Sequence, residues 1–365
     1  MPAIPNSGAI SLSDFATEFG GTAPHSMSEY YRNGANVPSN NSNVPTAGAF
    51  RFGQMRGAIN EIILAATSGA NVDISGLFGA NWTSTVPKRL TVPAGVTIGG
   101  TGSSAALIIP ANMAGTLEID NAGSILGFGG AANGGTGGNA IQNSASGVTI
   151  NNTGLLAGGG GGGGSGGTGG QGGNGSYSVT TTEGPLYNVS FTYWGRYGGG
   201  GAYLYIKWKG GSQLEGPTYY GSDTINLGGY TWTRGAMQDY DFATHYAVSR
   251  TGTSTSSSTG GSGGSGGSAG VGQGYNQSNA SGSSGSSGSA GGTNAGAGGS
   301  GGTGGSGGTY GSSGGAGATG NTGANGNASS GSGGSSGSSG GAAGAAVTGT
   351  SVTMNNTGTL AGAVA

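Results

Sequence analysis

The sequence has no cysteine and very little charge, and each shortage excludes a class of protein. Without cysteine there is no disulfide framework, which is consistent with folding in a reducing cytoplasm. Charged residues make up 6% of the 365, and the net charge is -2, so no long-range field attracts nucleic acid or an anionic membrane. We therefore expect neither as a partner.

The sequence also lacks long apolar runs. Residues Met1 to Pro5 do not have the basic and apolar regions of a signal peptide, and no apolar run approaches the roughly 18 residues of a membrane-spanning helix. We expect synthesis in the cytoplasm, without signal-peptide export and without membrane insertion. A protein released when its host cell lyses has this pattern.

Catalytic and cofactor-binding groups are scarce. The two histidines, His25 and His245, are accompanied by no cysteine and no nucleophile-elbow motif, so no catalytic triad or zinc-ligand set can be assembled. The run Gly159–Gly164 lacks the Lys-Ser/Thr ending with which a phosphate-binding loop reaches phosphate and magnesium. We expect no enzymatic activity, no cofactor and no metal.

Two sets of acidic residues are weighed against that expectation. A metal site needs a cluster of ligands, but Asp239, Asp241 and His245 are more typical of an exposed acidic loop. A glycosidase needs two carboxylates at a defined separation, which a sequence does not give. The candidates for such a pair are Glu183, Glu215 and Asp223.

Glycine is the most abundant residue, with 93 copies. Apolar residues make up 33% of the chain and cluster between residues 1 and 120 and between 177 and 250. Charged residues fall in the same two zones, since none lies between Asp120 and Glu183 and none follows Arg250. Only these zones have the composition of a conventional hydrophobic core.

A repeated unit frames the longest glycine-rich region. The segments Leu117–Gly127, Val148–Gly158 and Val352–Gly362 align without a gap. Each predicts a strand, an Asx-Gly-type turn and a second short apolar strand. Such units stack because one alone cannot bury its apolar face. We expect the third copy to lie beside the first two, although residues 159–351 separate it from the second.

The glycine-rich tracts are periodic. A three-residue period is that of a polyproline-II-type helix, whose N–H and C=O groups point outward and are satisfied by neighbouring chains. Around residues 165–174 and 298–306, two of every three positions are glycine, which allows such close approach. The clearest runs with glycine at every third residue begin at Gly260, Gly317 and Gly331.

Two other interpretations of the glycine-rich tracts fit less well. Gly/Ser tracts are usually flexible linkers, but a linker has no reason to return to a matching strand unit. Collagen shares the three-residue period, but it depends on proline, and none follows Pro217. The sequence therefore predicts an ordered sheaf of glycine-rich helices, anchored by the strand units.

Short helices are expected near the N-terminus. Two pairs have the capping-box spacing, in which a hydroxyl and an acidic side chain satisfy the first N–H groups of a helix. The pairs are Ser11 with Asp14 and Ser26 with Glu29, and the predicted stops are Gly20 and Gly34. The segment Gln54–Thr67 has helical apolar spacing and is the only substantial helix expected.

The segment Ser7–Gly21, followed by Ser26–Tyr31, resembles a short module that recurs in tail-fibre and tail-tip proteins of tailed bacteriophages. The resemblance covers roughly residues 4–56. It implies a virion-proximal module that binds other phage tail proteins. A small helical domain of unrelated origin is the alternative.

The glycine tracts around residues 127–175 and 259–345, following such a module, resemble the distal adhesins of T-even-like phages. In those proteins an attachment region precedes a sandwich of polyglycine-II helices, whose connecting loops contact the host receptor. This chain is longer, and one loop has grown to about 75 residues. The resemblance implies location on a virion tail fibre or tail tip, and a bacterial polysaccharide or outer-membrane protein as receptor.

Together these features predict a mainly β chain that also contains polyglycine-II helices. Residues 1–85 are a small α/β attachment module, and residues 86–126 are a β-rich connector. Residues 127–175 and 251–365 form the polyglycine-II sandwich, into which residues 176–250 insert an aromatic-rich β subdomain. The sequence leaves open whether the chain is a monomer or a homotrimer.

The insert holds eleven of the fifteen tyrosines and three of the four tryptophans. Alternating residues predict paired strands over Leu186–Trp194 and Ala202–Trp208 and a third strand over Thr224–Thr233. Some aromatic and apolar residues must form the insert's own core, and Val189, Phe191 and Leu204 are placed there. Exposed tyrosine and tryptophan offer rigid faces that stack on sugars or protein loops.

Turn and end positions of the insert are the candidate receptor contacts. They are Tyr193, Trp194, Arg196, Tyr197, Tyr219, Tyr220, Trp232 and Tyr240. Tyr275, beside Asn276 and Gln277, and Tyr310 interrupt glycine runs and are predicted as further loop-tip contacts.

The function predicted from these features is non-enzymatic recognition of a host receptor by a phage adhesin. A structural or ice-binding glycine-rich protein is the second hypothesis, and a flat Thr/Ser/Ala face without an aromatic insert would favour it. A capsule depolymerase fibre is the third, and it requires a carboxylate pair in a groove.

Overall fold

A computed structural model of the chain describes residues 4–186, 205–206, 214–215, 224–227, 230–240 and 243–364. These residues form mostly β-strands and few helices. Their buried apolar side chains gather in two clusters, one within residues 4–58 and one within residues 62–347. No helix in the described ranges is long and apolar enough to cross a membrane.

The first cluster is built around one short helix, α1 (Leu12–Phe19). Phe15 on this helix meets Tyr30 edge to face, with ring centroids 5.7 Å apart, and both side chains are fully buried. Gly20 ends α1 with a φ of 72°, as predicted. Gly34, the other predicted stop, ends no helix because the next helical turn already stops at Tyr30.

Both predicted capping boxes are confirmed. The Ser11 N–H donates to Asp14 Oδ2 at 2.6 Å, and the Ser26 N–H donates to Glu29 Oε1 at 3.1 Å. The hydrogen bonds from Ser11 lower the pKa of the Asp14 carboxyl. The second box starts a 3₁₀-helix, Met27–Tyr30.

The helix expected over Gln54–Thr67 does not form, so that prediction is wrong. Phe52–Met55 makes one 3₁₀ turn, and Ile62–Ala65 is a strand. Gly57 between them has a φ of 70°, which no helix accommodates. Met55 lies in the first cluster and the strand in the second, so the apolar spacing that suggested one helical face belongs to two cores.

Twenty strands lie in the described residues. They are β1 (Ile62–Ala65), β2 (Gly69–Ala70), β3 (Val72–Asp73), β4 (Lys88–Val92), β5 (Thr97–Gly99), β6 (Leu107–Ile109), β7 (Leu117–Asn121), β8 (Ser124–Leu126), β9 (Ile141–Asn143), β10 (Val148–Asn152), β11 (Leu155–Ala157), β12 (Gly175–Leu186), β13 (Tyr205–Ile206), β14 (Leu214–Glu215), β15 (Thr224–Leu227), β16 (Tyr230–Tyr240), β17 (Ala243–Ser258), β18 (Val347–Gly349), β19 (Thr353–Asn356) and β20 (Thr359–Ala361).

The second cluster fills a three-sided stack of parallel strands. The three sheets have the orders β1-β4-β7-β10-β19, β2-β5-β8-β11-β20 and β3-β6-β9-β18. The chain visits the three sheets in turn, and each circuit forms one rung, as in a parallel β-helix. Five rungs are stacked, and the apolar side chains of all three sheets meet inside.

The repeated unit stacks as predicted. Leu117 lies opposite Val148 and Thr149 lies opposite Thr353, and the second strands of the three units pair in the same way. The two strands of one unit belong to different sheets, so the turn between them is a corner of the stack. These units form rungs three, four and five.

Two further rungs precede the repeat. The first, β1 to β3, lies within residues 1–85, and the second, β4 to β6, lies within residues 86–126. The second rung has Val92 where the third has Asn121. Because of this difference, the sequence of the second rung does not match the repeated unit. A helix after the first rung, α2 (Ile74–Phe78), and the 3₁₀-helix Gly79–Thr83 add Phe78 and Trp82 to the same core.

A ladder of asparagines runs along one corner of the stack. Asn121 Nδ2 donates to Asn152 Oδ1 at 2.7 Å, and Asn152 Nδ2 donates to Asn356 Oδ1 at 2.6 Å. Asn121 and Asn152 are 1% and 0% exposed, so each amide satisfies a neighbour that would otherwise be buried unpaired. Only Asn121 Oδ1 lacks a partner, because Val92 lies below it.

The fourth rung is interrupted by a long excursion. After β11 the chain leaves the stack at residue 158 and returns as β18, which pairs with β9 and completes the rung. Residues 127–140 leave the third rung between the equivalent strands, β8 and β9. Both excursions are therefore insertions at one corner of the stack.

The two excursions build one glycine lattice, residues 127–140, 158–174 and 259–346. Its segments run back and forth and are joined by backbone hydrogen bonds that recur at every third residue. Gly160, Gly161 and Gly162 donate to three different neighbours, at positions 273, 312 and 135, and Gly163 and Gly164 repeat the first two directions. The direction of the N–H groups therefore returns after three residues.

The hub segment, residues 158–174, bonds to neighbours on all sides. Where the short excursion covers it, residues 158–164 are all glycine, because a Cβ at Gly159 or Gly162 would overlap the backbone of that excursion. Past the end of the excursion the same face opens, and it carries Ser165, Thr168 and Gln171. Glycine is thus placed where a neighbouring backbone lies, and side chains begin where it ends.

Serine hydroxyls replace backbone acceptors along this open face. The N–H groups of Ser165, Thr168 and Gln171 donate to serine Oγ atoms at 2.7, 2.8 and 2.8 Å. The acceptors are Ser338, Ser335 and Ser332. The three-residue spacing of these serines therefore satisfies N–H groups that have no backbone partner.

We expect Gly166→Ala to destabilise the lattice, because its Cβ would overlap the Gly302 carbonyl. Overpacking of this kind costs about 1–3 kcal/mol. Hydrogen–deuterium exchange should show faster exchange of the lattice amides. Gly333→Ala is the matched control, since nothing lies within 4 Å of its added Cβ. Equal effects of the two variants would contradict the close packing described for the hub segment.

We expect Asn152→Leu to lower the free energy of unfolding by about 1–3 kcal/mol, since it removes the acceptor of Asn121 and the donor to the Thr359 carbonyl. Denaturant unfolding followed by circular dichroism measures this. Asn355→Ala removes a single exposed amide bond and should cost well under half as much. A similar loss in both variants would argue against a special role for the buried ladder.

Candidate functional site

Apart from the turn of the short excursion at 131–135, the turns of the glycine lattice lie at two ends. At the near end, beside the strand stack, the Tyr275 N–H donates to Gly127 O, and the Gly311 N–H donates to Gly158 O. At the far end are the turns at 292–295 and 326–329, and there the chain also enters β12 and leaves β17. The far end is therefore where the insert is mounted.

Two asparagines hold the base of the insert on the lattice. The side-chain amides of Asn294 and Asn327 both donate to the Ser176 carbonyl, at 3.0 and 2.8 Å. Asn327 Oδ1 accepts the Ser176 N–H at 2.7 Å, and Ser258 Oγ donates to Thr293 O at 2.5 Å. Both strands that lead into the insert are thus fixed where they leave the lattice.

The insert begins as a long antiparallel pair. β12 and β17 pair from Gly175 and Ser258 outward to Leu186 and Val248. The sheet continues to β16 and β15, while β13 and β14 form a separate pair. The base of the long pair is rich in exposed hydroxyls, and Thr182 Oγ1 lies 3.1 Å from Thr251 Oγ1. The base of this pair, residues 175–182 and 251–258, contains no charged side chain.

The single strand predicted over Thr224–Thr233 is wrong. This segment forms two strands, β15 and the start of β16, with Leu227 opposite Tyr230 in an antiparallel pair. The sequence between them is Gly228-Gly229, a two-residue hairpin signal that the alternation of apolar residues obscured. The strands predicted over Leu186–Trp194 and Ala202–Trp208 lie largely outside the described residues.

Of the candidate contact residues in the insert, the structure describes two, Trp232 and Tyr240. Trp232 lies in β16, in register with Ile225 on one side and Arg250 on the other. Tyr240 ends β16, opposite Ala243. The remaining insert candidates lie outside the described residues. They are Tyr193, Trp194, Arg196, Tyr197, Tyr219 and Tyr220.

Tyr275 and Tyr310 lie in turns, but these turns are at the near end of the lattice. The Tyr275 ring lies over Gly99 of the strand stack, where a Cβ would overlap it. Tyr310 Oη donates to Gly274 O at 3.1 Å, and burial raises the pKa of this phenol. Both side chains are half-buried, and the Tyr275 ring joins the lattice to the stack. A receptor contact by either stays a prediction.

The acidic residues considered for catalysis that the structure describes lie on three different strands, β12, β14 and β16. Glu183 is in register with Arg250, Glu215 with Tyr205, and Asp239 with Thr244. Asp223 and Asp241 lie outside the described residues. Within the described ranges, no three His, Asp or Glu side chains lie close enough together to hold a metal ion. Absence of catalysis and of metal in the whole chain stays a prediction.

Sequence reasoning missed the residues that position the insert. Asn294 and Asn327 were part of glycine-rich tracts and carried no motif. Their signal was the break in the three-residue glycine pattern at 293–295 and 327–330, which marks the turns of the far end. The Ser/Thr-rich sequence before residue 186 also concealed a strand, β12.

No protein-family model and no curated protein matches the chain. A solved structure with some similarity is the gp37-gp38 adhesin tip complex of the bacteriophage S16 long tail fiber, with 16% sequence identity and a TM-score of 0.34. The alignment covers 99% of this chain and 100% of that chain. A TM-score of this size does not establish a common fold.

We expect Asn327→Ala to loosen the base of the insert, because it removes both the acceptor of the Ser176 N–H and one donor to its carbonyl. Hydrogen–deuterium exchange at Ser176 should become at least several-fold faster. Asn321→Ala, on the same segment but bonded only to Ser300 through its side chain, should leave Ser176 unchanged. Unchanged exchange in Asn327→Ala would show that the asparagine does not hold the insert.

Proposed function

We propose that this chain is a bacteriophage tail-fibre or tail-tip adhesin, which recognises a host-cell receptor without catalysis. The observation that carries the proposal is the path of residues 158–346. They leave one rung of the strand stack, build a rigid lattice, and return to complete the same rung. A long insertion anchored at both ends in this way serves to hold something away from the body of the protein, and what it holds is the aromatic-rich insert.

We infer that the lattice segments are polyglycine-II helices packed as a sandwich. The inference is supported by N–H groups whose direction repeats after three residues, the period of a polyproline-II-type helix. It is also supported by the neighbours of the glycines, since a Cβ at most lattice glycines would overlap another segment's backbone. Helices without internal hydrogen bonds gain their stiffness only from such neighbours.

The chemistry of the far end favours recognition through aromatic and hydroxyl groups. No charged residue follows Arg250, so the lattice contributes no electrostatic attraction or repulsion. The insert supplies most tyrosines and tryptophans of the chain on a stem of serine and threonine. Such surfaces stack on sugar rings and on protein loops. The receptor is therefore a bacterial surface polysaccharide or an outer-membrane protein.

The N-terminal region is proposed as the attachment module for other phage tail proteins. It has its own core, separate from that of the strand stack. Phe52 at its surface is 39% exposed and lies 5.1 Å from buried Phe15, between ring centroids. Exposed aromatic side chains beside a packed core are typical of protein-interaction surfaces. The protein would then reside on the tail fibre or tail tip of the virion.

Ice binding remains the second candidate because one observation favours it. The lattice exposes small hydroxyl residues at a regular three-residue spacing, including Thr303, Ser306, Thr319 and Thr322. An ice-binding protein has no use for an aromatic insert held at the end of such a lattice. Thermal hysteresis measurements on the full chain distinguish the two functions, and we expect no hysteresis.

We expect the insert to be required for binding to host cells. Replacing residues 187–247 with Asn-Gly joins Leu186 to Val248, which already face each other, through a two-residue hairpin. This variant should compete with phage adsorption at least tenfold less well than the intact chain. The competition curve with purified protein measures the effect.

Two controls accompany this test. Thr319→Ala, on the exposed flank of the lattice, should compete as well as the intact chain. Lattice protection in hydrogen–deuterium exchange should be unchanged in the hairpin variant. Full competition by the hairpin variant would refute the insert as the receptor site. If Tyr275→Ala instead abolished competition while lattice protection in hydrogen–deuterium exchange stayed unchanged, the contact would lie at the near end. Release of reducing sugars from capsule would indicate a depolymerase.

A further inference from the structure

The strand stack ends in an open rung, β19 and β20. Each of these strands pairs on one side only, with β10 and β11. In the described ranges no strand pairs with their other edge. A row of backbone N–H and C=O groups is thus presented at the surface, which is the usual template for pairing with another chain.

The apolar core of the stack continues into this open rung. Interior side chains of the third and fourth rungs are almost fully buried, with Ile119 and Ile150 both 0% exposed. Their counterpart in the fifth rung, Met354, is only half-buried, as are Val352 and Leu360. The apolar core is therefore only partly covered at this end of the stack.

The asparagine ladder is also left incomplete at this end. Asn121 and Asn152 each donate to the asparagine of the next rung at 2.7 and 2.6 Å. Asn356 accepts the last of these bonds, but its own Nδ2 reaches only Gly358 O, at 3.4 Å. A primary amide both donates and accepts, so two Asn356 side chains that meet can satisfy each other.

Within the part of the chain that the structure describes, nothing at the open rung blocks pairing with another strand. Exposed sheet edges are usually blocked by lysine, proline or a bulge. Here no charged residue follows Arg250, no proline follows Pro217, and both strands pair without a bulge. This edge is neutral and unblocked, and it lies over a partly exposed apolar core. It is therefore more stable when paired with another chain than when exposed to solvent.

We propose that this open rung is the interface through which two copies of the chain pair around a two-fold axis. Stacking of the fifth rung on another copy's first rung would not complete the ladder, because that rung has Ala66 at the ladder position. The fifth rung of a second copy presents the matching Asn356. A self-complementary patch of this kind gives a closed dimer and no filament.

Such a dimer carries two inserts on one particle. If the inserts bind receptors as proposed above, simultaneous engagement raises the apparent affinity by about 10²–10⁴ without a new contact. The dimer itself rests only on the strand stack, and its test involves no receptor. Failure of the dimer and failure of receptor binding are therefore distinguishable.

Sedimentation velocity of the full chain over a range of concentrations tests the proposal. The intact chain should sediment as a dimer. Asn356→Asp should weaken association at neutral pH by at least about tenfold, since like charges would meet across the two-fold axis. Ser336→Asp adds the same charge on the exposed flank of the lattice and should leave the dimer intact.

A second measurement stays informative if Asn356→Asp folds poorly. The chain has no cysteine, so Thr357→Cys places a unique thiol at the exposed end of β19. A short bis-maleimide should join two copies of this variant, and it should not join two copies of Ser336→Cys. Circular dichroism confirms that each variant is folded.

Three results would overturn the proposal. The first is an intact chain that is monomeric at every concentration. In that case the strand that pairs with β19 and β20 would belong to another protein. The second is a dimer that withstands Asn356→Asp in a folded protein. The third is equal cross-linking of Thr357→Cys and Ser336→Cys.

Discussion

The hydrogen bond between neighbouring backbones, repeated at the spacing of stacked strands, is the constraint on which the rest of the structure depends. The same bonds join rung to rung and lattice segment to lattice segment. Gly127 donates to Ala157, Gly130 to Gly160, and Gly158 to Ala361, so the pairing of the strands continues into the lattice without a break. The distance between neighbouring strands of the stack therefore also fixes the distance between neighbouring segments of the lattice.

That constraint explains both the composition and the dependence of the lattice on its anchor. Ordering one residue costs about 1–2 kcal/mol of backbone entropy, and glycine loses the most, while a hydrogen bond returns about 0.5–1.5 kcal/mol net. The lattice has little apolar side-chain burial to make up the difference. The apolar core between Ile62 and Val347 supplies the remaining stabilisation, and the Tyr275 ring over Gly99 couples the lattice to the stack.

The functional proposal depends on rigidity and neutrality together. The lattice holds the insert through Asn294 and Asn327, and no charge on it competes with what the insert recognises. In the proposed function, the binding chemistry is left to the tyrosines and tryptophans of the insert. A two-fold pairing at the open rung would add a second copy of this surface without changing either one.

The sequence determined the repeated strand unit, both capping boxes and the three-residue period of the glycine tracts, because each depends only on the spacing of nearby residues. It could not reveal the first two rungs, because Val92 and Ala66 replace the ladder asparagines, or the strand at Ile62, because two cores shared one helical-looking pattern. Only the tertiary structure decided that Tyr275 and Tyr310 lie at the end of the lattice beside the stack, while Asn294 and Asn327 lie at the end that carries the insert. Which end of a segment a turn occupies depends on where the chain was anchored, and that anchor is formed by residues far apart in the sequence.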